Sequence, residues 1–469
     1  MVRVRWPTLI LGLILSPLVA AAQDVATPQT PPAPPPPSDD LGTFLDRLWL
    51  SGQANFIWQN NPSFPAAYSG TNSFGPKGET QGSRLLTLYT GFRLTKKLDF
   101  LFDIESAGGG GLSLALGIAG FPNLDVVRNP SLSSQPYIAR IMMHYTVPLG
   151  KDLEEATMNP LSLASALPVR RLEFYLGKMS TVDFFDVNSV GSDSHTQFMN
   201  WTVDNNGAYD YAADTRGYTF GLVIEYFDKW GAFRFGEELM PTVANGIDLQ
   251  WNIAKAGAQN FEFEFHPALF KNRQTIIRPL AFINRANMGL YSEAISAYRV
   301  GQTPIPDVVA TRVQGRIKYG FGLNVEQQLN STMAAYGRLG WESGDTESFA
   351  YTEVNSTAAV GAYSTGKHWG RPDDKVGSAF INNSISGQHA QYLQLGGLGF
   401  LLGDGNLTYG QERISETYYT LHIVRGISIA GDFQEIWRPG YNQVRGPVTI
   451  YSFRFHLEDG LQAFRNGRH

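Results

Sequence analysis

The chain has 469 residues, with 13% aromatic side chains, 49 glycines and no cysteine. The missing thiols exclude disulfides, thiolate metal sites and a cysteine nucleophile. A balance of 37 basic against 42 acidic residues gives a formal charge of −5, which argues against nucleic acid as a partner.

Residues 1–22 open with Arg3 and Arg5, continue through the short apolar run "LILGLILSPLV" and end on Ala20-Ala21-Ala22. A basic start, a short apolar core and small residues make a secretory signal peptide, with cleavage expected after Ala22. The competing reading, an uncleaved anchor, has too short an apolar core. Loss of this segment leaves 35 basic against 42 acidic residues, a charge near −7. The next stretch, "QDVATPQTPPAPPPPSDD", is too rich in proline for a helix or a sheet interior and favours an extended polyproline path. Residues 23–43 therefore form a spacer. It either reaches toward the cell wall or trails without a role, and its composition fits both.

Beyond the spacer no apolar run approaches the ~18–20 residues of a transmembrane helix. The longest, "LSLALGIAGF" at 112–121, is far shorter. Any membrane span must use strands. Leu50, Gly52, Ala54, Phe56 and Trp58 alternate with Ser51, Gln53, Asn55 and Gln59; Leu86, Leu88, Phe92 and Leu94 alternate with Tyr89, Gly91 and Arg93. "KKLDFLFDIE" sets Leu98, Phe100, Phe102 and Ile104 against Asp99, Asp103 and Glu105. Tyr137, Ala139, Ile141, Met143, Tyr145 and Val147 oppose Arg140, His144 and Thr146; Leu172, Phe174 and Leu176 oppose Arg171 and Glu173. Tyr218, Phe220, Leu222, Ile224 and Tyr226 oppose Thr219, Gly221 and Glu225.

In "NFEFEFH" the phenylalanines 261, 263 and 265 face one way and Glu262, Glu264 and His266 the other. "QTIIRPLAFINR" (274–285) has an arginine on either face and is compatible with a bulge. Ile317 to Val325 and Tyr451 to Leu457 repeat the division, with Lys318, Asn324, Glu326, Ser452, Arg454 and His456 on the polar side.

About sixteen such segments fall between 49 and 458. Turns of a few residues at 95–97, 229–231, 329–331 and 424–426 alternate with long connections rich in Gly, Ser, Asn and Pro. A soluble β-sandwich also alternates, but its strands average about 5–6 residues, shorter than many of these. The pattern predicts an all-β fold: an antiparallel outer-membrane β-barrel over 44–458, with short periplasmic turns and long extracellular loops. Trp58, Tyr137, Tyr145, Tyr226, Trp230 and Trp341 sit where interfacial girdles belong.

Motifs for catalysis are scarce. "GAYSTGKH" (361–368) imitates a phosphate loop, but His368 replaces the hydroxyl residue and no strand-to-helix unit surrounds it. No enzyme activity, cofactor or bound metal is expected. The densest polar and aromatic stretch, 177–217, is roughly forty residues, too long for an idle connection. It either folds inward to narrow a channel, where aromatic faces stack on sugar rings, or packs on itself as a lid or subunit contact. Within it, Asp183, Asp186 and Trp201 are candidate solute contacts. From the strands, lumen parity adds Asp103, Glu105, Arg140, His144, Glu173, Glu225, Glu262, Glu264, Lys318, Glu326, Arg338 and Arg454. Arginines and carboxylates on opposing walls set a transverse field and offer planar partners to hydroxyls.

"GKMSTVDFFDVN" followed by "FMNWTVDNNGAYDYAADTRGYTFGL" resembles the signature region of the OprB-type carbohydrate-selective porins. "HWGRPDDKVGSAF", "GQHAQYL", "GDGNLTYGQERISETYY" and "RPGYNQVRGPVTIYSFRFHLE" resemble later blocks of the same family. The resemblance covers nearly all of 49–458. It implies a sixteen-stranded barrel in the outer membrane with a loop-constricted pore for sugars. Membrane lipid, lipopolysaccharide and the barrel-assembly machinery are the implied partners. Members with this pattern also include manganese-selective porins, so sugar and Mn2+ both stand as solutes here. A non-conducting barrel that anchors the envelope is a third reading. The chain departs from the usual barrel ending, because "DGLQAFRNGRH" (459–469) runs on past the last aromatic positions.

Overall fold

A computed structural model describes residues 43–127, 132 and 134–460. The expected signal peptide, the spacer up to residue 42 and residues 461–469 lie outside the described residues. Sixteen antiparallel strands close into a barrel. In chain order they are β1 (Leu48–Asn61), β2 (Glu79–Thr95), β3 (Leu98–Gly109), β4 (Tyr137–Pro148), β5 (Arg171–Met179), β6 (Thr219–Asp228), β7 (Gly231–Leu239) and β8 (Gly257–Phe265). They continue with β9 (Thr275–Met288), β10 (Val313–Gln328), β11 (Met333–Glu342), β12 (Ser356–Gly366), β13 (Arg371–Ser384), β14 (Glu412–Val424), β15 (Ile427–Trp437) and β16 (Val448–Gly460). Each strand pairs with its chain neighbours, and β16 returns to β1 through register pairs such as Phe56 with Phe455. None of the described helices is long and apolar enough to cross a membrane.

The connections are as unequal as expected. Residues 96–97, 229–230, 329–332 and 425–426 turn tightly at one end, while the other end carries the long loops. A longer turn-end connection, 149–170, holds a small hairpin of Leu153–Glu155 with Ala166–Pro168.

Side-chain alternation follows the expected faces along most strands. In β8, Phe263 and Phe265 are exposed on the outer wall, while Glu262 and Glu264 are buried inside. Across the outer face, Phe261 and Phe263 meet Phe235 and Phe233 of β7, with ring centroids 5.2 and 4.8 Å apart. Such cross-strand aromatic pairs stabilise adjacent strands. Trp58, Tyr145, Trp230 and Trp341 are exposed as a girdle requires.

Three readings of the periodicity need correction. The β3–β4 register shifts between Asp103/Arg140 and Ile104/Ile138, leaving Ala139 as an extra residue. This bulge reverses parity at the start of β4. Tyr137 consequently faces the lumen, where its hydroxyl donates to Glu105, and Ala139 is buried rather than lipid-facing. Tyr218 precedes β6 and also turns inward, donating to Glu105 at 2.9 Å. In 274–285 the parity runs without a break: Arg278 is inside and Arg285 outside, and the irregularity falls later, between Ala286 and Asn287.

Phe261→Arg, in the middle of β8 on the outer face, tests the lipid assignment. A charge at that depth costs about 2–4 kcal/mol. The variant's unheated band in detergent electrophoresis should shrink relative to the parent, while Gln259→Arg near the rim should be tolerated.

Candidate functional site

The 180–218 connection between β5 and β6 does not stand above the barrel. It folds into the lumen and is almost wholly buried. Local side chains shape it. Asn188 Oδ1 accepts from the backbone N–H of Val190 and Gly191 at 2.9 and 2.8 Å, closing one tight turn. Asn200 caps the single helical turn Trp201–Asp204 by accepting from Thr202 N–H at 3.0 Å.

The lumen-facing wall holds the loop at points spread around the barrel. Arg140 of β4 grips Asp183 with two bonds of 2.7 and 2.6 Å and reaches Asp103 at 3.2 Å. On the opposite side, Arg338 Nε lies 2.8 Å from Asp186 Oδ2, an ion pair rather than an aligned hydrogen bond. Glu262 accepts from the Asp186 backbone N–H at 2.7 Å, and Glu326 accepts from Ser189 N–H at 3.1 Å. Arg454 donates to the carbonyls of Ser194 and Gln197 at 2.8 and 3.0 Å. Lys318 sits 2.8 Å from Asp210 and 3.3 Å from Glu342, all three buried. Trp201 donates to the Asn123 carbonyl at 2.8 Å and stacks on Tyr351 at 5.8 Å.

Other expected lumen charges pair along the wall. Arg234 joins Glu225, Glu262 and Glu264 at 2.7, 2.9 and 3.0 Å. His144 lies between Asp99 and Glu173, at 3.4 and 3.6 Å, and stacks on Tyr175 at 4.4 Å.

A cleft of about 510 Å³ lies between this loop and the β2–β4 wall. It extends from Val127, Arg216 and Gly217 at the loop end to Asn159, Pro160 and Leu161 of the turn-end connection. Three of the residues singled out from sequence line it: Glu105, Arg140 and Asp183. Trp201 borders a side recess of about 90 Å³, lined also by Arg216 and Tyr351. Tyr89, Tyr137, Tyr211 and Tyr218 add aromatic faces to the main cleft, and Asp125, Asp193 and Asp204 add carboxylates. Tyr89 carried a signal in its lumen parity, and Asp193, Asp204 and Tyr211 in the dense polar stretch. Tyr137 was hidden by the bulge. Asp125 lies in an irregular loop with no periodic signal at all. Arg216 lies 3.8 Å over the Tyr137 ring, and Tyr137 meets Tyr218 edge-on at 6.4 Å.

Asp204 has one carboxylate oxygen buried without a hydrogen-bond partner. Burial pushes its carboxyl well above the ordinary range, against the nearby Arg338 charge. Among the described residues, no three His, Asp or Glu side chains converge in a group able to hold a metal ion.

The model of the carbohydrate-selective porin OprB family matches residues 71–458. The high-pH structure of Pseudomonas putida OprB is similar over 89% of this chain and 95% of that one, at 12% identity and a TM-score of 0.64. Its low-pH structure covers 89% and 94%, at 10% identity and a TM-score of 0.47. The outer membrane channel DcaP of Acinetobacter baumannii covers 88% and 97%, at 8% identity and 0.49. No curated protein matches the sequence. At such identity the first neighbour supports the barrel fold alone.

Two outcomes follow from the loop. Asp186→Ala leaves Arg338 buried without its carboxylate, a loss of about 3–5 kcal/mol. The loop should loosen, and single-channel conductance in planar bilayers should rise with added noise. Asp204 has a folded-state pKa above its unfolded value of about 3.9, so the folded chain keeps a proton that the unfolded chain releases. Its contribution is complete below that value and declines as pH rises through the shifted one. Asp204→Asn should melt with the parent at pH 4 and at a higher temperature than the parent at pH 8.

Proposed function

The chain belongs to the OprB family of carbohydrate-selective porins, outer-membrane barrels that admit sugars, and we propose that its solute passes along the Glu105–Arg140–Asp183 cleft. The observation that carries this reading is a cleft reaching from the loop end to the turn end with tyrosine rings beside charged hydrogen-bonding groups. Tyrosine faces cover the apolar C–H surfaces of a sugar ring. Carboxylates accept from its hydroxyls, and the Arg140 guanidinium donates to them. A solute that exchanges water hydrogen bonds for these in sequence crosses without a deep trap. Loop and wall set the width, so selection is by size and hydrogen bonding, with no energy input.

The protein works as a channel, and we assign it no catalysis and no cofactor. The manganese reading would draw on Glu105, Asp125, Asp183 and Asp204, yet no observation favours it over sugar. Assembly-machinery recognition of β16, and cell-wall contact by the proline-rich arm, complete the proposed partners.

Liposome swelling tests the route. Reconstituted protein should pass a monosaccharide faster than a trisaccharide. Arg140→Ala removes the two hydrogen bonds to Asp183, so it should narrow that difference severalfold and raise conductance. Sugar-impermeable liposomes combined with strong cation selectivity in planar bilayers would overturn the sugar route, and a sealed barrel would favour the anchoring role.

A further inference from the structure

The outer wall carries a second feature, unrelated to the pore. Near the loop end of β13–β16, a groove of about 350 Å³ opens beside Phe380, Arg413, Trp437, Arg438, Gln443 and Pro447. Register places Asn382, Arg413 and Trp437 in one row across β13, β14 and β15. Arg413 alternates with buried Glu412 and Ile414, so it points away from the lumen, and Phe380 is exposed on the same outer face. This is the height of the interfacial girdle on the side that carries the long loops.

Neither Arg413 nor Arg438 has a carboxylate or hydrogen-bond partner among the described residues. The other lumen and rim arginines detailed above are paired. Glu435 also belongs to the outer face of β15, opposite Ser415, and forms no ion pair with either. Arg438 holds its backbone in the left-handed region, at φ 58° and ψ 56°, which an arginine adopts at a cost. Gly410 makes room for its stem: a Cβ there would lie 2.8 Å from Arg438 Cδ. The groove thus has an apolar floor of Phe380, Trp437 and Pro447 under two uncompensated guanidinium groups.

We propose that this groove binds a phosphorylated lipid of the outer leaflet, with Arg413 and Arg438 on the phosphate and Phe380, Trp437 and Pro447 against the adjoining acyl or sugar surface. Guanidinium groups match phosphate with paired, charge-assisted hydrogen bonds. A membrane face is where such a headgroup is always present, and tryptophan suits the boundary between headgroup and chain. Charge complementarity and height together select an anionic amphiphile over a neutral one.

Full-length protein purified in detergent, titrated with lipid A and examined by native mass spectrometry, provides the test. The parent should retain lipid A, and the Arg413→Gln/Arg438→Gln variant should lose roughly tenfold in affinity, the scale of one charge-assisted contact. Arg425→Gln, at the opposite rim, should bind like the parent, and dephosphorylated lipid A should bind parent and double variant equally weakly. Sugar flux and the unheated electrophoretic band should be unchanged in the double variant, which separates this site from the pore. Equal retention of lipid A by parent and double variant would overturn the proposal. So would a dimer or trimer seen in the parent and lost in the variant, because that result assigns the face to a second copy of the chain.

Discussion

Hydrocarbon offers no hydrogen bonds, and the rest of this structure depends on that lack. Every backbone N–H and C=O at membrane depth must find a partner within the chain. Sixteen strands meet the demand only by closing, and the β1–β16 pairing from Ser51/Gly460 to Asn60/Tyr451 supplies the closure. Closure fixes a second consequence. One parity of each strand faces lipid and must be apolar, while the other faces an enclosed lumen and is free to carry charge. Phe261 and Glu262, adjacent in sequence, stand in the two most different solvents the protein meets.

A lumen rich in charge needs either water or partners, and here most of it has partners. The 180–218 loop occupies the interior and meets wall groups on both sides, from Arg140 to Arg338, Lys318 and Arg454. Ion pairs of this kind give little net stability, because removing both charges from water costs about as much as their attraction returns. Their value lies in geometry. An apolar loop could settle in the lumen at many heights, whereas Asp186 under Arg338 and Asp210 beside Lys318 fix one. Pairing occupies most of the wall charges expected in the lumen, and of the residues singled out from sequence only Glu105, Arg140 and Asp183 border the open cleft.

The fold was legible because its evidence is periodic. Phe263 against Glu264, or Tyr319 against Lys318, states an inside and an outside without reference to anything distant. Parity fails where the backbone gains a residue, so it assigns Tyr137 and the bulged Ala139 to the wrong face. It also stops at strand ends, where Tyr218 turns inward to reach Glu105. The candidate site was less legible for a different reason. Parity identifies a lumen side chain, but whether that side chain meets solute or loop depends on contacts distant in sequence. Lys318 and Asp210, or Arg338 and Asp186, are more than a hundred residues apart. No local pattern in either segment announces the pairing.

The cleft lies to one side of the barrel. Its strand lining comes from β2, β3 and β4, while the loop meets wall groups of β4, β8, β10, β11 and β16. The loop's anchors and the cleft's lining thus fall mostly on different strands, and β4 is shared by both. If solute follows the proposed cleft, one arc serves as the sieve and the opposite arc as the chassis, with Arg140 belonging to both because it lines the cleft and grips Asp183. On that proposal a descendant could acquire a new diet by altering a few cleft positions on β2 and β3, with Arg140 and the loop it holds left in place.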